Sequence, residues 1–210
     1  MIKRQRILSS TKLRLESNLA KTSAIYPLRN FDCKPLTLDP ATKSFTFENI
    51  FSSNSSIPDY CLIALLRHTD FSGDYKNNPF TFSHFSIEEI SITFDQYRFV
   101  HETNYVDAGP EDYTGSYNAL FSHTGFKSDQ GTSITMEKYK NGFTLYSFDF
   151  GRDNFLNCEH WNSRVTGSTR LSFRFNAASN NPALVALVYS ESNNILQINS
   201  QREVIRAFNI

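Results

Sequence analysis

The chain has 210 residues, a length that one β-sandwich can occupy, and at this size roughly 70% of the unfolded surface can be buried. Nineteen Phe and ten Tyr against two Met predict a core of rigid rings, which pack well on pleated sheets. Lys plus Arg and Asp plus Glu balance at 21 each, so the summed field gives no reason to expect the whole molecule to bind nucleic acid, a membrane or another polyanion.

The charge is uneven along the chain. Lys3, Arg4, Arg6, Lys12, Arg14 and Lys21 fall in the first 21 residues with Glu16 alone opposing them. Ile7, Leu8, Leu13, Leu15 and Leu19 follow a helical period only loosely. Residues 1–25 are therefore expected to be a basic arm or linker, in preference to a transit peptide or an arm that touches nucleic acid. Cys33, Cys61 and Cys158 cannot all pair within one chain, and two of them lie in apolar, strand-like settings, which fits a reducing compartment. No apolar run approaches the roughly 20 residues that span a bilayer, and no apolar stretch follows the basic start as in a secretory signal. The expectation is a soluble, intracellular chain.

The folded domain is expected over residues 26–205, with 206–210 as a tail. Leu28 to Leu38 reads as an extended segment, and Pro35 within it points to a sheet edge or a bulge. Ser44 to Phe51 brings Phe45, Phe47, Ile50 and Phe51 into a strand. Tyr60 to Leu66 is a nearly continuous apolar run of strand length, expected to be central and covered on both faces. Phe71 to Pro79 is dense in Gly, Asp, Asn and Pro, residues that satisfy their own backbone in turns, so it predicts a long surface loop.

Ile87 to Phe94 alternates Ile90, Ile92 and Phe94 with Glu89, Ser91 and Thr93, as a half-buried strand does, and Gln96 to His101 continues as its partner. Tyr113, Tyr117, Leu120 and Phe121 line one face of a helix over Tyr113 to Thr124 that Gly125 would stop. A shorter helix over Ile134 to Tyr139 ends at Asn141 and Gly142. Strands follow at Phe143 to Phe150, at Ser168 to Phe175 with Leu171, Phe173 and Phe175 inward, at Ala183 to Ser190 and at Asn194 to Ile198. About eight strands with one or two short helices between them and no βαβ alternation predict an all-β fold, a jelly-roll β-sandwich.

Chemistry-bearing patterns are sparse. His68, His84, His101, His123 and His160 are scattered singly, whereas a metal site of the kind found in jelly-roll enzymes needs several His and a carboxylate converging. Cys158 and His160 form a lone Cys-x-His pair. Asp70, Asp74, Asn77 and Asn78 lack the spacing and the closing Glu of a calcium loop, so a hydrogen-bonded turn is the better reading. No nucleophile elbow, phosphate loop or dinucleotide turn is present. Trp161 beside Asn157 and Asn162 is the one feature that supports a carbohydrate-binding module, the alternative function. No catalytic, cofactor-binding or metal-ligating residue is assigned, and no cofactor, small-molecule substrate, membrane or specific nucleic acid is expected as a partner.

Read as a unit, Asp70, Phe71, Gly73, Asp74, Asn78, Pro79, Phe80, Phe82, His84 and Phe85 resemble the D-x-x-G loop and N-P-F-x-F-x-H-F block in the major capsid protein of polintons (Maverick elements) and adinto-like viruses. The likeness continues in order through Tyr117, Leu120, Phe121, Thr124, Gly125, Gly131, Ile134, Tyr139, Gly142, Thr144, Leu145, Phe148 and Asp149, then through Leu171, Phe173, Phe175, Val188, Tyr189 and Ile198. Tyr26, Pro27, Leu28 and Arg29 are similar to the family's entry into its C-terminal jelly roll. The resemblance covers about Tyr26 to Val204. Gln96 to Asp112 and Gly151 to Asn157 match it poorly.

It implies a non-enzymatic building block of a hexon-like capsomer, located in the virion and encoded by a virus or an endogenous viral element. It also implies two jelly rolls per chain, of which this sequence has room for the second, and partners of the same kind: a homotrimer, or assembly with an N-terminal jelly roll and other capsid proteins. Phe80, Phe82 and Phe85 would then anchor the loop against the sandwich.

Overall fold

The computed structural model describes residues 7–39, 42–51, 57–95, 97–102, 113–123, 133–150, 167–176 and 182–206. In chain order these form α1 (Ser9–Lys21), β1 (Ala24–Leu38), β2 (Ser44–Glu48), β3 (Tyr60–Arg67), α2 (His68–Ser72), β4 (Ile87–Phe94), β5 (Tyr97–Glu102), α3 (Thr114–His123), α4 (Met136–Lys140), β6 (Leu145–Asp149), β7 (Thr169–Phe175), β8 (Leu184–Ile198) and β9 (Val204–Arg206). Among the described residues no helix is long and apolar enough to cross a membrane.

The strands make two sheets, β1-β8-β3-β6 with β9 added on β8, and β2-β7-β4-β5. The pairing is nested: β4 with β5, then β3 with β6, β2 with β7, and β1 with β8 outermost. Successive pairs fall in alternate sheets, as when one long hairpin is rolled up, and this is the jelly-roll arrangement that the sequence predicts. Pro27 and Pro35 sit in β1, which lies at a sheet edge, where Pro is tolerated.

Register explains the core. Opposite Phe173 of β7 stand Phe45 of β2 and Ile90 of β4, and opposite Leu171 stand Phe47 and Ile92, so one face of this sheet is lined by rings and branched side chains. Against it pack Cys61, Ile63 and Leu65 of β3 with Tyr146 and Phe148 of β6. Ile63, Leu65, Ile90, Ile92, Leu171 and Phe173 are fully buried, each worth about 1.5–3 kcal/mol relative to exposure. Leu62 and Leu145 point the other way, under a second cluster of Tyr113, Leu120 and Tyr139 from the α3 and α4 region. Strand β3 is thus covered on both faces, as its unbroken apolar run predicts. Burial also pushes the Cys61 thiol well above its usual range, whereas Cys33, in an equally strand-like setting, is exposed.

Several local expectations are corrected. Ser9–Lys21 is an α-helix, because it holds neither Gly nor Pro and is built largely of Leu, Lys, Arg, Glu and Ala, although none of its residues is buried. Helix α4 starts two residues late, since the Thr135 hydroxyl caps it by accepting from the Lys138 N–H at 3.3 Å. Asn49 adopts a left-handed φ of 52° and ends β2 before Ile50 and Phe51, which reach the core regardless. Strand β8 runs unbroken where two strands are expected, with the Asn194 side chain turned onto the Ile195 N–H at 2.8 Å. The polar face of β4 is not open to water: Glu89 and Ser91 are buried.

The chain divides into two units, Met1–Asn30 with Asn193–Ile210, and Phe31–Ser192. The sandwich core lies in the second. In the first, Asn199 and Glu203 close the turn between β8 and β9, the Glu203 N–H donating to the Asn199 side chain at 2.8 Å, with Arg202 left-handed at φ 63°. Arg202 also reaches Glu16 of α1 at 3.4 Å.

Candidate assembly surface

The Asp70 to Phe85 stretch is held from within. Asp74 accepts from the Lys76 N–H and from the Asn77 side chain, both at 2.9 Å, and Asn78 accepts from the Phe80 N–H at 3.0 Å. These are Asx turns, in which a short polar side chain satisfies the backbone ahead of it. Asp70 is buried in the middle of α2, a short helix that the loop reading did not anticipate, and Gly73 follows the helix at φ 95°. The Asp74 and Asn78 oxygens thus make hydrogen-bonded turns, as the composition of the segment predicts.

The loop is also tied to the body. Phe82 and Phe143 form a parallel bridge in which the Phe82 N–H donates to Gly142 at 2.8 Å and the Thr144 N–H donates to Phe82 at 3.1 Å. Gly142 makes this approach at φ 123°, where a Cβ would meet the Thr81 methyl at 3.1 Å. Phe85 packs on the sandwich core and Phe82 is partly buried, but Phe80 is 71% exposed. The expected three-ring anchor is therefore two rings. Phe80 points into solvent with Phe71, Phe143 and the fully exposed Tyr75. On β5, Tyr97 and Val100 are likewise exposed.

A backbone fixed by its own side chains thus presents large rings that stand exposed among the described residues. Exposed rings held on a fixed backbone make this stretch a candidate for contact with another protein. Sequence reading did not single out Tyr75 or Phe143; the available signal was an aromatic residue inside a Gly/Asp/Asn/Pro segment, where no period can bury it.

The remaining candidates do not converge. His68 bonds Ser72 at 3.3 Å, His84 accepts from the Ser86 N–H at 3.0 Å with its ring 5.1 Å from Tyr113, and His123 lies 3.1 Å from the Ser147 carbonyl and hydroxyl. The side chains of His101 and His160, with Cys158, Trp161, Asn157 and Asn162, lie outside the described residues. Among the described residues no three His, Cys, Asp or Glu side chains are grouped as a metal site.

A polar cleft of about 200 Å³ opens where β2, β4 and β7 end, lined by Glu48, Asn49, Asp95, Thr169 and Arg170 among others. Its carboxylates are engaged: Glu48 pairs with Arg170 at 2.9 Å, and Asp95 accepts from the Ser168 N–H at 3.2 Å and hydroxyl at 3.3 Å. The Thr169 hydroxyl is buried there without a hydrogen-bond partner among the described residues.

No family model matches this sequence, and no curated protein does. Solved structures do. A chain of the Sputnik virophage matches with a TM-score of 0.53 and 12% identity over 90% of this chain and 39% of its own. VP54 of PBCV-1, fitted into a reconstruction of the same virophage, matches at 0.52 and 10% identity over 97% of this chain and 55% of its own. The chain spans about two-fifths to just over half of the length of these relatives. Identity this low speaks to architecture alone, and what it establishes is that the chain shares the jelly-roll fold of these two virus-particle proteins.

Proposed function

We propose that the chain is a non-enzymatic structural protein of a viral-type capsid, a jelly-roll building block of a hexon-like capsomer. Residues 26–205 are its jelly-roll domain, 1–25 a basic arm and 206–210 a tail. The observation that carries this reading is the self-braced loop that holds Phe71, Tyr75 and Phe80 in solvent. A rigid sandwich whose buried polar groups serve its own packing, and whose rings lie unused at the surface, is built to be covered by a neighbour. The two matched chains come from virus particles, which supports the same setting for this one.

In that setting the partners are two further copies in a trimer, or an N-terminal jelly roll and other capsid proteins, and the protein resides in the virion after assembly in the host cell. Such contacts join unlike patches of neighbouring subunits and close into a ring when the rotation permits. Negative-stain electron microscopy of the purified chain, alone and with an N-terminal jelly roll, should give three-fold ring-shaped class averages. Single featureless particles in both preparations would refute the reading. Glycan-array binding lost in Trp161→Ala would favour the carbohydrate-binding alternative instead.

A further inference from the structure

Among the described residues, helix α1 is tied to the turn before β9 by the Glu16–Arg202 ion pair at 3.4 Å but buries none of its own side chains. None of Ser9–Lys21 is buried, and Leu8, Leu13 and Leu15 are at least 55% exposed. A helix of 13 residues is marginal in water on propensity alone, so this one gains most from a surface that covers its leucines. Leu8, Lys12, Leu15 and Leu19 recur at alternating steps of four and three, which sets them on one face. That is the spacing of a helix lying in a groove of another protein.

The charge distribution indicates which protein. Over residues 1–21 there are six basic residues and one acid; subtracting these from 21 of each leaves fifteen basic residues against twenty acids over 22–210. The segment carries an excess of five positive charges, and the rest of the chain an equal excess of negative ones.

We propose that α1 docks on the acidic body of a second copy of this chain, with Leu8, Leu15 and Leu19 covered by apolar surface there and Lys12, Arg14 and Lys21 facing its carboxylates. A nucleic-acid backbone would pair the cations and leave the leucines in water. A lipid surface would have to accept Lys12 inside the leucine stripe. A second copy supplies both apolar surface and carboxylates. The proposal rests on the assembly reading above, since both require copies to meet.

Mixing isotope-labelled and unlabelled chains and treating them with a carbodiimide, which joins lysines to nearby carboxylates, tests it. The expected products link Lys12 or Lys21 of one isotopic form to an Asp or Glu beyond residue 21 of the other. They should fall severalfold at about 1 M salt, where charges are screened within about 3 Å, and in the triple variant L8S/L15S/L19S, whose changes fall at two exposed positions and one half-buried one. Links confined to one isotopic form, links unchanged in the triple variant, or links displaced by duplex DNA or by anionic vesicles would each overturn the proposal. Light scattering on the same samples separates the two readings. Copies that associate without these links refute the α1 contact alone, whereas copies that never associate, with or without an added N-terminal jelly roll, refute the assembly reading as well.

Discussion

Glu89 and Arg174 stand opposite each other across the β4–β7 ladder, the Glu89 Oε2 3.1 Å from the Arg174 guanidinium. The other carboxylate oxygen of Glu89 is held by Arg98 of β5. One buried carboxylate thereby connects three neighbouring strands, with both guanidinium groups about half exposed. Glu89→Gln keeps the shape, removes the charge, takes the paired carboxylate from Arg98 and leaves Arg174 with Glu88 at 3.1 Å. It should cost about 1–3 kcal/mol in urea unfolding, and Arg98→Gln, at an exposed end, less than about 1 kcal/mol. Equal stability of the wild-type chain and Glu89→Gln would show that the carboxylate holds nothing.

Gly167 leads into β7 against the β4–β5 turn. A Cβ there would lie 2.3 Å from the Phe94 ring and 2.4 Å from the Asp95 carboxylate, closer than non-bonded atoms approach. Gly167→Ala should lower stability by about 1–3 kcal/mol through the forced shift. Gly115, in α3, has nothing within 4 Å of the added carbon, so Gly115→Ala should raise stability by about 0.5–1 kcal/mol. Thermal melts of the two variants are expected to move in opposite directions.

The hydroxyl of Thr169 is buried in the cleft wall with no hydrogen-bond partner among the described residues. Replacing it with a methyl group of similar volume removes an unsatisfied polar atom, so Thr169→Val should be neutral or stabilising by up to about 1 kcal/mol. A loss of more than about 1 kcal/mol in urea unfolding would reveal a bond made by that hydroxyl.

These sites differ in how far the sequence announces them. Periodicity finds Leu171, Phe173 and Phe175, and the unbroken run marks β3 as central, because burial repeats with the pleat. Turn composition likewise identifies the Asp74 and Asn78 turns, whose bonds are local. Glu89 reads as a solvent-facing charge, since Arg98 and Arg174 lie 9 and 85 positions away and become neighbours only in the finished sheet. Phe80 and Phe82 are equivalent in the sequence. They part only because the Phe82 backbone bonds Gly142 and Thr144 while Phe80 stays on the Asn78 turn. Helix α1 has propensity but buries none of its residues, so a search for a buried stripe passes over it.

Tyr189 of β8 donates to Glu191 at 2.8 Å. Its pKa is pushed up to about 12, chiefly by desolvation, then by that bond and by the neighbouring Glu191 and Cys33 charges. The fold thus favours the neutral phenol. This contribution is whole below the unfolded value of 10.0 and is lost as pH rises from there towards 12. Unfolding free energy measured across that window should fall with pH in the wild-type chain and fall less steeply in Tyr189→Phe. Parallel slopes would contradict the shift.

The capsomer reading depends most directly on whether copies of this chain close into a ring. Multi-angle light scattering of the purified protein, alone and mixed with an N-terminal jelly roll, measures this without any assumption about which loops meet. The expected mass is three times the 24.1 kDa of one chain, or that of a stoichiometric complex with the added jelly roll. A strictly monomeric mass in both samples would contradict it.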